Sequence, residues 1–437
     1  MEPTAAHHPL SAAPGGSVPF VAVDGPSPSV RARARAGLYV HVPFCATRCT
    51  YCDFSSGSLS AAAVERYLAG IEREVELRAL ASSARVFTSV FFGGGTPSAL
   101  SARHFRRLWR ALRAGFTIAP HAEITLEANP ESVKAALLDA WREAGVNRLS
   151  MGAQSFVPAE LEGLGRIHDA DRPAWAMALA RAHGFERLSL DLMFGFPGHT
   201  RDTWQLTLER ALELATEHLS AYCFIPEVGT PLGNAALAGT AALPGPDEQA
   251  ECYALLTERL AAAGFGCYET SNFCRPGAEA RHNLVYWLRR PYVGLGPSAH
   301  GLVASVRYGN HYALERWAAD LDQGRLPESE REPESMASAA SECVMLALRL
   351  ATGLRLADYP RALARAIEGR YGEAFDHAVA TGRLAAHGGA LAIAAPHRFL
   401  ADDIIAWIES RAERRAIRSG TSGRRPQAVL EAAVGSS

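Results

Sequence analysis

The segment HVPFCATRCTYCDF places three of the chain's eight cysteines, Cys45, Cys49 and Cys52, within eight positions. Three thiolates fall one short of the set that closes a structural zinc site or fully ligates an iron–sulfur cluster. A cubane cluster held by three thiolates leaves one iron without a protein ligand. A small molecule carrying an amino and a carboxylate group can chelate that iron through both. A Cys3His zinc site completed by His41 is the competing reading of the same residues. Further along, GGGTP (Gly93 to Pro97) supplies backbone without Cβ atoms, which can approach such a molecule closely and take up its amino group. Glu127 and Asp191 are carboxylates of the kind that hold ribose hydroxyls in dinucleotide folds.

These residues need elements to position them. From Leu38, short apolar runs alternate with helical patterns: LYVHV, VFTSVFF, EITLE, RLSMGAQ, RLSLDLMF and HLSAYCF read as strands, with amphipathic helices such as AAAVERYLAGIEREVELRAL between them. Six strands alternating with helices predict a parallel sheet with right-handed crossovers, curled into a partial (β/α)6 TIM-like barrel. In such barrels the chemistry collects at the C-terminal ends of the strands. The cysteines follow strand one, GGGTP follows strand two, Glu127 closes strand three, Gln154 closes strand four, and Asp191 sits near the end of strand five. All five features are therefore expected on one rim.

The chain divides into a disordered N-terminal tail over 1–36, the barrel over 37–240, a connecting segment over 241–325, a smaller, mostly helical unit over 326–410 and a basic disordered tail over 411–437. The charged linker GRLPESEREPES marks the boundary before the helical unit. An Arg-rich, acid-poor N-terminus also fits an organelle transit peptide. A net charge of −2 gives no general pull toward nucleic acid or anionic lipid. No apolar run approaches the roughly 20 residues that span a bilayer, so an integral membrane protein is not expected. The other five cysteines, Cys223, Cys252, Cys267, Cys274 and Cys343, show no framework spacing and read as reduced, buried hydrophobes of a cytoplasmic protein.

The CxxxCxxC spacing followed by GGGTP resembles the signature of the radical S-adenosylmethionine (SAM) superfamily. In that superfamily a [4Fe-4S] cluster passes one electron to SAM. YVHVPFC, FGGGTPSAL, LEANPE, GAQSF, LGRIHD, DLMFGFPG and GTPL carry the likeness further, over about Leu38 to Ile408, to the branch that contains the oxygen-independent coproporphyrinogen III dehydrogenases. The resemblance implies that Cys45, Cys49 and Cys52 hold the cluster. It also implies that Tyr39, Tyr51, Gly94, Gly95, Thr96, Glu127, Gln154, Arg166 and Asp191 face SAM.

Within the branch, the dehydrogenase carries a fourth cysteine in a CxxCxC arrangement, whereas here Cys52 is followed by Asp53 and Phe54. That departure is similar to the heme chaperones of the branch. So is HNLVYW, whose His282, Asn283, Tyr286 and Trp287 match a motif tied to heme binding. A neutral imidazole is a good axial ligand for heme iron, and His300 in GPSAHG is the rival to His282. The expected function is a heme chaperone that binds the cluster, SAM and heme, and delivers heme to an acceptor hemoprotein at a membrane. A flavodoxin- or ferredoxin-type protein would be the electron donor. The alternatives are the dehydrogenase itself and a radical SAM enzyme acting on another substrate.

Overall fold

The computed structural model describes residues 35–81 and 86–418. The expected N-terminal tail, apart from its last two positions, and the stretch beyond 418 lie outside the described residues. Six strands stand side by side in chain order, each parallel to the next: β1 (Gly37–Val42), β2 (Val86–Gly94), β3 (Thr117–Ala128), β4 (Arg148–Gln154), β5 (Arg187–Phe194) and β6 (His218–Cys223). The crossovers carry α1 (Ala61–Ala81), α2 (Ala102–Gly115), α3 (Ala135–Glu143), α4 (Pro158–Gly163), α5 (Arg172–Ala182) and α6 (Arg201–Glu213). After β6 come α7 (Pro231–Leu237) and α8 (Pro246–Ala262).

Helix starts follow from capping chemistry. Ser101 accepts from the His104 amide at the head of α2, and Thr200 and Thr203 cap each other at the head of α6. The strands are buried on both faces, as a parallel sheet covered by helices requires. Leu38, Val40, Val90, Phe92, Leu126, Leu149, Leu190 and Leu192 are all fully buried.

The segment over 241–325, expected as a connector, builds both flanks of the sheet instead. β7 (Gly266–Glu269) and β8 (Asn272–Cys274) pair with each other, and β8 adds antiparallel to β6. After α9 (Arg281–Trp287), β9 (Tyr292–Leu295) lies parallel to β1 on its other side. β10 (His300–Val303) and β11 (Val306–Asn310) then continue the sheet antiparallel, and α10 (Leu314–Asp322) leads to β12 (Glu328–Pro333). The result is a partial (β/α)6 barrel extended to twelve strands, in the order β12-β11-β10-β9-β1-β2-β3-β4-β5-β6-β8-β7. Among the described residues no pairing joins β12 to β7. The charged linker ESEREP is itself the edge strand. Its exposed glutamates and arginine protect an open edge from pairing with other chains.

A buried carboxylate locks this flank to the barrel. Glu74 on α1 accepts from Arg78 Nε and Asn310 Nδ2 at 2.8 Å, from the Gly296 amide at 2.8 Å and from Trp317 Nε1 at 3.1 Å.

The C-terminal unit contains α11 (Met336–Ala347), α12 (Arg361–Ala380), the hairpin β13 (Leu384–His387) and β14 (Ala390–Ile393), and α13 (Ala401–Arg418). Its separate core is centred on Cys343, Val344, Ile367, Tyr371 and Ile408. α12 runs unbroken through Gly369 and Gly372, joining ALARAIEGRYG to FDHAVA. α13 continues to Arg418, past the expected end at 410.

Candidate functional site

The five features expected on one rim do meet there. β1 hands over at its C-terminal end to the cysteine segment, whose Cys45, Cys49 and Cys52 are all free and half-buried. The glycine turn is stitched to this segment by main-chain bonds: the Gly95 amide donates to Val42 O at 2.9 Å and the Thr96 amide to Phe44 O at 2.7 Å. The Thr96 hydroxyl then shares a hydrogen bond with Cys45 Sγ at 3.3 Å. Gly95 is required by space, since a Cβ there would lie 2.7 Å from Phe44 O and 2.9 Å from Val42 O. Gly94 has φ +102, and a Cβ would strike the His41 ring at 2.5 Å.

Arg166 joins the opposite side. Its Nη1 donates to Cys49 Sγ at 3.4 Å, and its Nη2 donates to Asn129 Oδ1 at 2.9 Å and Gly152 O at 2.7 Å. Asn129 in turn donates to Thr96 Oγ1 at 3.3 Å, closing a ring around the cysteines. Sequence reasoning missed Asn129, although it sits in LEANPE two residues after Glu127. Thr50 fastens the segment from outside: its amide donates to Leu164 O at 3.2 Å, and its carbonyl accepts from the Leu232 amide at 2.8 Å. Tyr51 packs into the apolar cluster of Leu164, Met193, Phe196 and Phe224.

The barrel interior behind the cysteines carries the carboxylates. Glu127 accepts from the Gly94 amide at 3.2 Å, and burial, with Asp191 adding repulsion, pushes its pKa up to about 8. Asp191 accepts from Ser150 Oγ at 3.1 Å, and burial raises its pKa as well. Gln154 ends β4 at φ +65, just past a register shift between Gly152 and Gln154. A side chain held there costs about 1–3 kcal/mol, and such strain gathers at ligand-facing positions. Tyr39 stacks on Phe91 with ring centres 6.3 Å apart, and its hydroxyl meets His41 Nδ1 at 3.0 Å.

The donor set fits a three-thiolate cluster with SAM and does not fit zinc. His41 cannot complete a Cys3His site in this conformation, because Nδ1 is taken by Tyr39 and Nε2 by Ser55 O at 2.9 Å. Among the described residues no three Cys, His, Asp or Glu side chains converge on a point where one ion could sit. The other five cysteines lie elsewhere, at the end of β6, in α8, β7, β8 and α11. Burial pushes the Cys52 thiol up to about 11, so its proton must leave as iron binds. For SAM, the buried Nε of Arg166 has no partner, and two half-buried carboxylates, Glu127 and Asp191, lie close enough behind Gly93–Gly95 for Asp191 to raise the Glu127 pKa.

HNLVYW is not part of this mouth. His282 is 1 % exposed, its Nδ1 meets Ser89 Oγ at 2.9 Å and its Nε2 meets Tyr286 OH at 2.9 Å. The ring also stacks on Phe91 at 5.1 Å, and its pKa is lowered to about 3 by burial. In this conformation both of its ring nitrogens are taken by hydroxyl groups. Tyr286 packs edge-on against Tyr292, Trp287 packs against the cluster around Tyr268 and Leu284, and Asn283 is half-buried. The motif braces α9 against β2. Sequence reading could not see this, because Ser89 lies on a strand far earlier in the chain.

The radical SAM superfamily model matches residues 39–211. The chain is 38% identical over 372 residues to the heme chaperone HemW of Mycobacterium tuberculosis, covering 84% of this chain and 93% of that one. It is 33% identical over 337 residues to the heme chaperone HemW of Bacillus subtilis, covering 76% and 88%. Among solved structures, coproporphyrinogen III oxidase (HemN) from Escherichia coli superimposes with a TM-score of 0.74 at 23% identity, covering 88% of this chain and 93% of that one. That likeness is one of fold.

Proposed function

The chain belongs to the family of HemW heme chaperones, built on the radical SAM fold, and from that premise we propose that it binds a [4Fe-4S] cluster, SAM and heme and passes heme to acceptor hemoproteins. The observation that carries this reading is the cysteine segment, in which three thiols share one rim and Asp53 and Phe54 follow Cys52 where a further thiol would stand. Cys45, Cys49 and Cys52 would hold the cluster. When bound, the cluster supplies a one-electron donor with an open iron to which SAM can attach. Gly94, Gly95 and Thr96 would accept the amino group of SAM along the backbone. Arg166, with its unpartnered Nε, would meet the carboxylate. Glu127 and Asp191 would take ribose hydroxyls, which relieves two carboxylates that burial otherwise disfavours. Tyr39 and Gln154 would flank the nucleoside.

No helix among the described residues is long and apolar enough to cross a membrane, so a membrane-bound acceptor would be met at its surface. A small flavodoxin- or ferredoxin-type protein would reduce the cluster. The test is anaerobic incubation of reconstituted protein with SAM and a reductant, with heme and coproporphyrinogen III supplied in separate reactions. Stoichiometric heme uptake and release to an apo-hemoprotein, without decarboxylation, is the expected result. Conversion of coproporphyrinogen III to protoporphyrinogen IX at enzyme-like rates would replace this reading with the dehydrogenase.

A further inference from the structure

An imidazole that ligates heme iron must be able to reach it, and most of the barrel's histidines cannot. His41, His168, His199, His218 and His282 are each at most 6 % exposed. His300 differs. It opens β10 directly after the turn that leaves the C-terminal end of β9, on the flank of the cysteine segment. The turn is pressed against that segment: a Cβ on Gly296 would lie 2.5 Å from His41 O. Ser298 is held at φ +62, and its amide donates to His311 O at 2.9 Å. The carbonyl of the next residue, Tyr312, accepts from Ser55 Oγ at 3.0 Å and its hydroxyl donates to Asp53 O at 3.4 Å, while the residue stays 59 % exposed.

The His300 side chain is 41 % exposed, with Nδ1 3.4 Å from Glu330 Oε1 on β12, across the intervening strand β11. Gly309 makes the room for this meeting, since a Cβ there would lie 2.9 Å from His300 Cε1 and 2.5 Å from Glu330 Oε1. A carboxylate beside Nδ1 favours the proton on that nitrogen and leaves the opposite nitrogen, Nε2, as the one available to a ligand.

We propose that His300, oriented by Glu330, is the axial ligand of the heme iron, with the macrocycle resting beside Tyr312 on the outer flank of the cysteine segment. This rests on the heme-chaperone reading and names its site. It also places the cargo next to Asp53 and Phe54.

The experiment is hemin titration of the full-length, heme-free protein, read by the ferric and dithionite-reduced absorption spectra. Wild type is expected to give a low-spin, imidazole-ligated spectrum. His300→Ala is expected to lose that spectrum and to bind roughly tenfold or more weakly. Glu330→Gln is expected to keep the ligand with affinity reduced about tenfold. His282→Gln, which can still bond Ser89 and Tyr286, is expected to keep the wild-type spectrum. Added imidazole should restore the low-spin bands to His300→Gly, which separates loss of a ligand from loss of fold. An unchanged spectrum and affinity in His300→Ala, with heme still bound by wild type, overturns the ligand assignment alone. Absence of heme binding by wild type overturns the assignment together with the chaperone reading.

Discussion

Gly95→Ala tests the core of the site, because only a methyl group is added and its neighbours are known. The new Cβ would lie 2.7 Å from Phe44 O, 2.8 Å from Phe44 N and 2.9 Å from Val42 O. All three are main-chain atoms, so no side chain can swing aside. Relief requires the glycine turn to move off the cysteine segment. That breaks the Gly95 amide bond to Val42 O and the Thr96 amide bond to Phe44 O, and with them the Thr96 contact to Cys45 Sγ. Two main-chain bonds at about 1 kcal/mol each and an overpacking cost of about 1–3 kcal/mol give roughly 3–5 kcal/mol. This loss concentrates where the cluster and SAM meet. Gly382→Ala is the control. There φ is +73 but nothing stands within 4 Å, so about 1–2 kcal/mol of backbone strain is expected with no effect on the site. The assay is iron and sulfide content after anaerobic reconstitution, the change in the cluster's electron paramagnetic resonance signal on adding SAM, and the denaturation midpoint. Gly95→Ala should lose the SAM response first and load less iron, whereas Gly382→Ala should do neither. A Gly95→Ala protein with wild-type iron content and an undiminished SAM response would refute the reasoning.

Cys49→Ala should abolish cluster assembly, because two thiolates hold a cubane poorly; iron and sulfide retained at wild-type levels would contradict the assignment. Glu74→Ala leaves Arg78, Asn310 and Trp317 without their shared acceptor and should cost about 3–5 kcal/mol, read from chemical denaturation. Glu127 has its pKa raised from 4.5 to about 8, so its contribution to stability is full below about 4.5 and is lost as the pH climbs through about 8. Ligand-free wild type should therefore lose melting temperature across that window faster than Glu127→Gln, and parallel pH profiles would exclude the effect.

The six parallel strands were legible because each is a buried apolar run bounded by a helical pattern. The rim followed from where Cys45, GGGTP, Glu127, Gln154 and Asp191 fall along those strands. The outer strands were not legible. β9 to β11 lie in a segment rich in Gly, Pro and aromatics with no apolar alternation, and β12 is a run of charges that pairs only because β11 is already beside it. The role of His282 was equally hidden. A free imidazole can ligate iron, but the two hydroxyls that occupy this one come from Ser89 on β2 and from Tyr286 one helical turn away. Asn129 and Ser150 are silent for a similar reason, since Asn129 serves Thr96 in the glycine turn and Ser150 serves Asp191 on β5.

β1 is paired on one side with β2 and on the other with β9, Gly37 standing opposite both Ser89 and Tyr292. On a ribosome, the second partner emerges only after most of the chain has been made, and Tyr312, which covers Ser55, emerges later still. Until then the thiols sit at an uncovered edge of a half-built sheet. A nascent chain stalled after β6 would offer the open edge of β1 to other polypeptides.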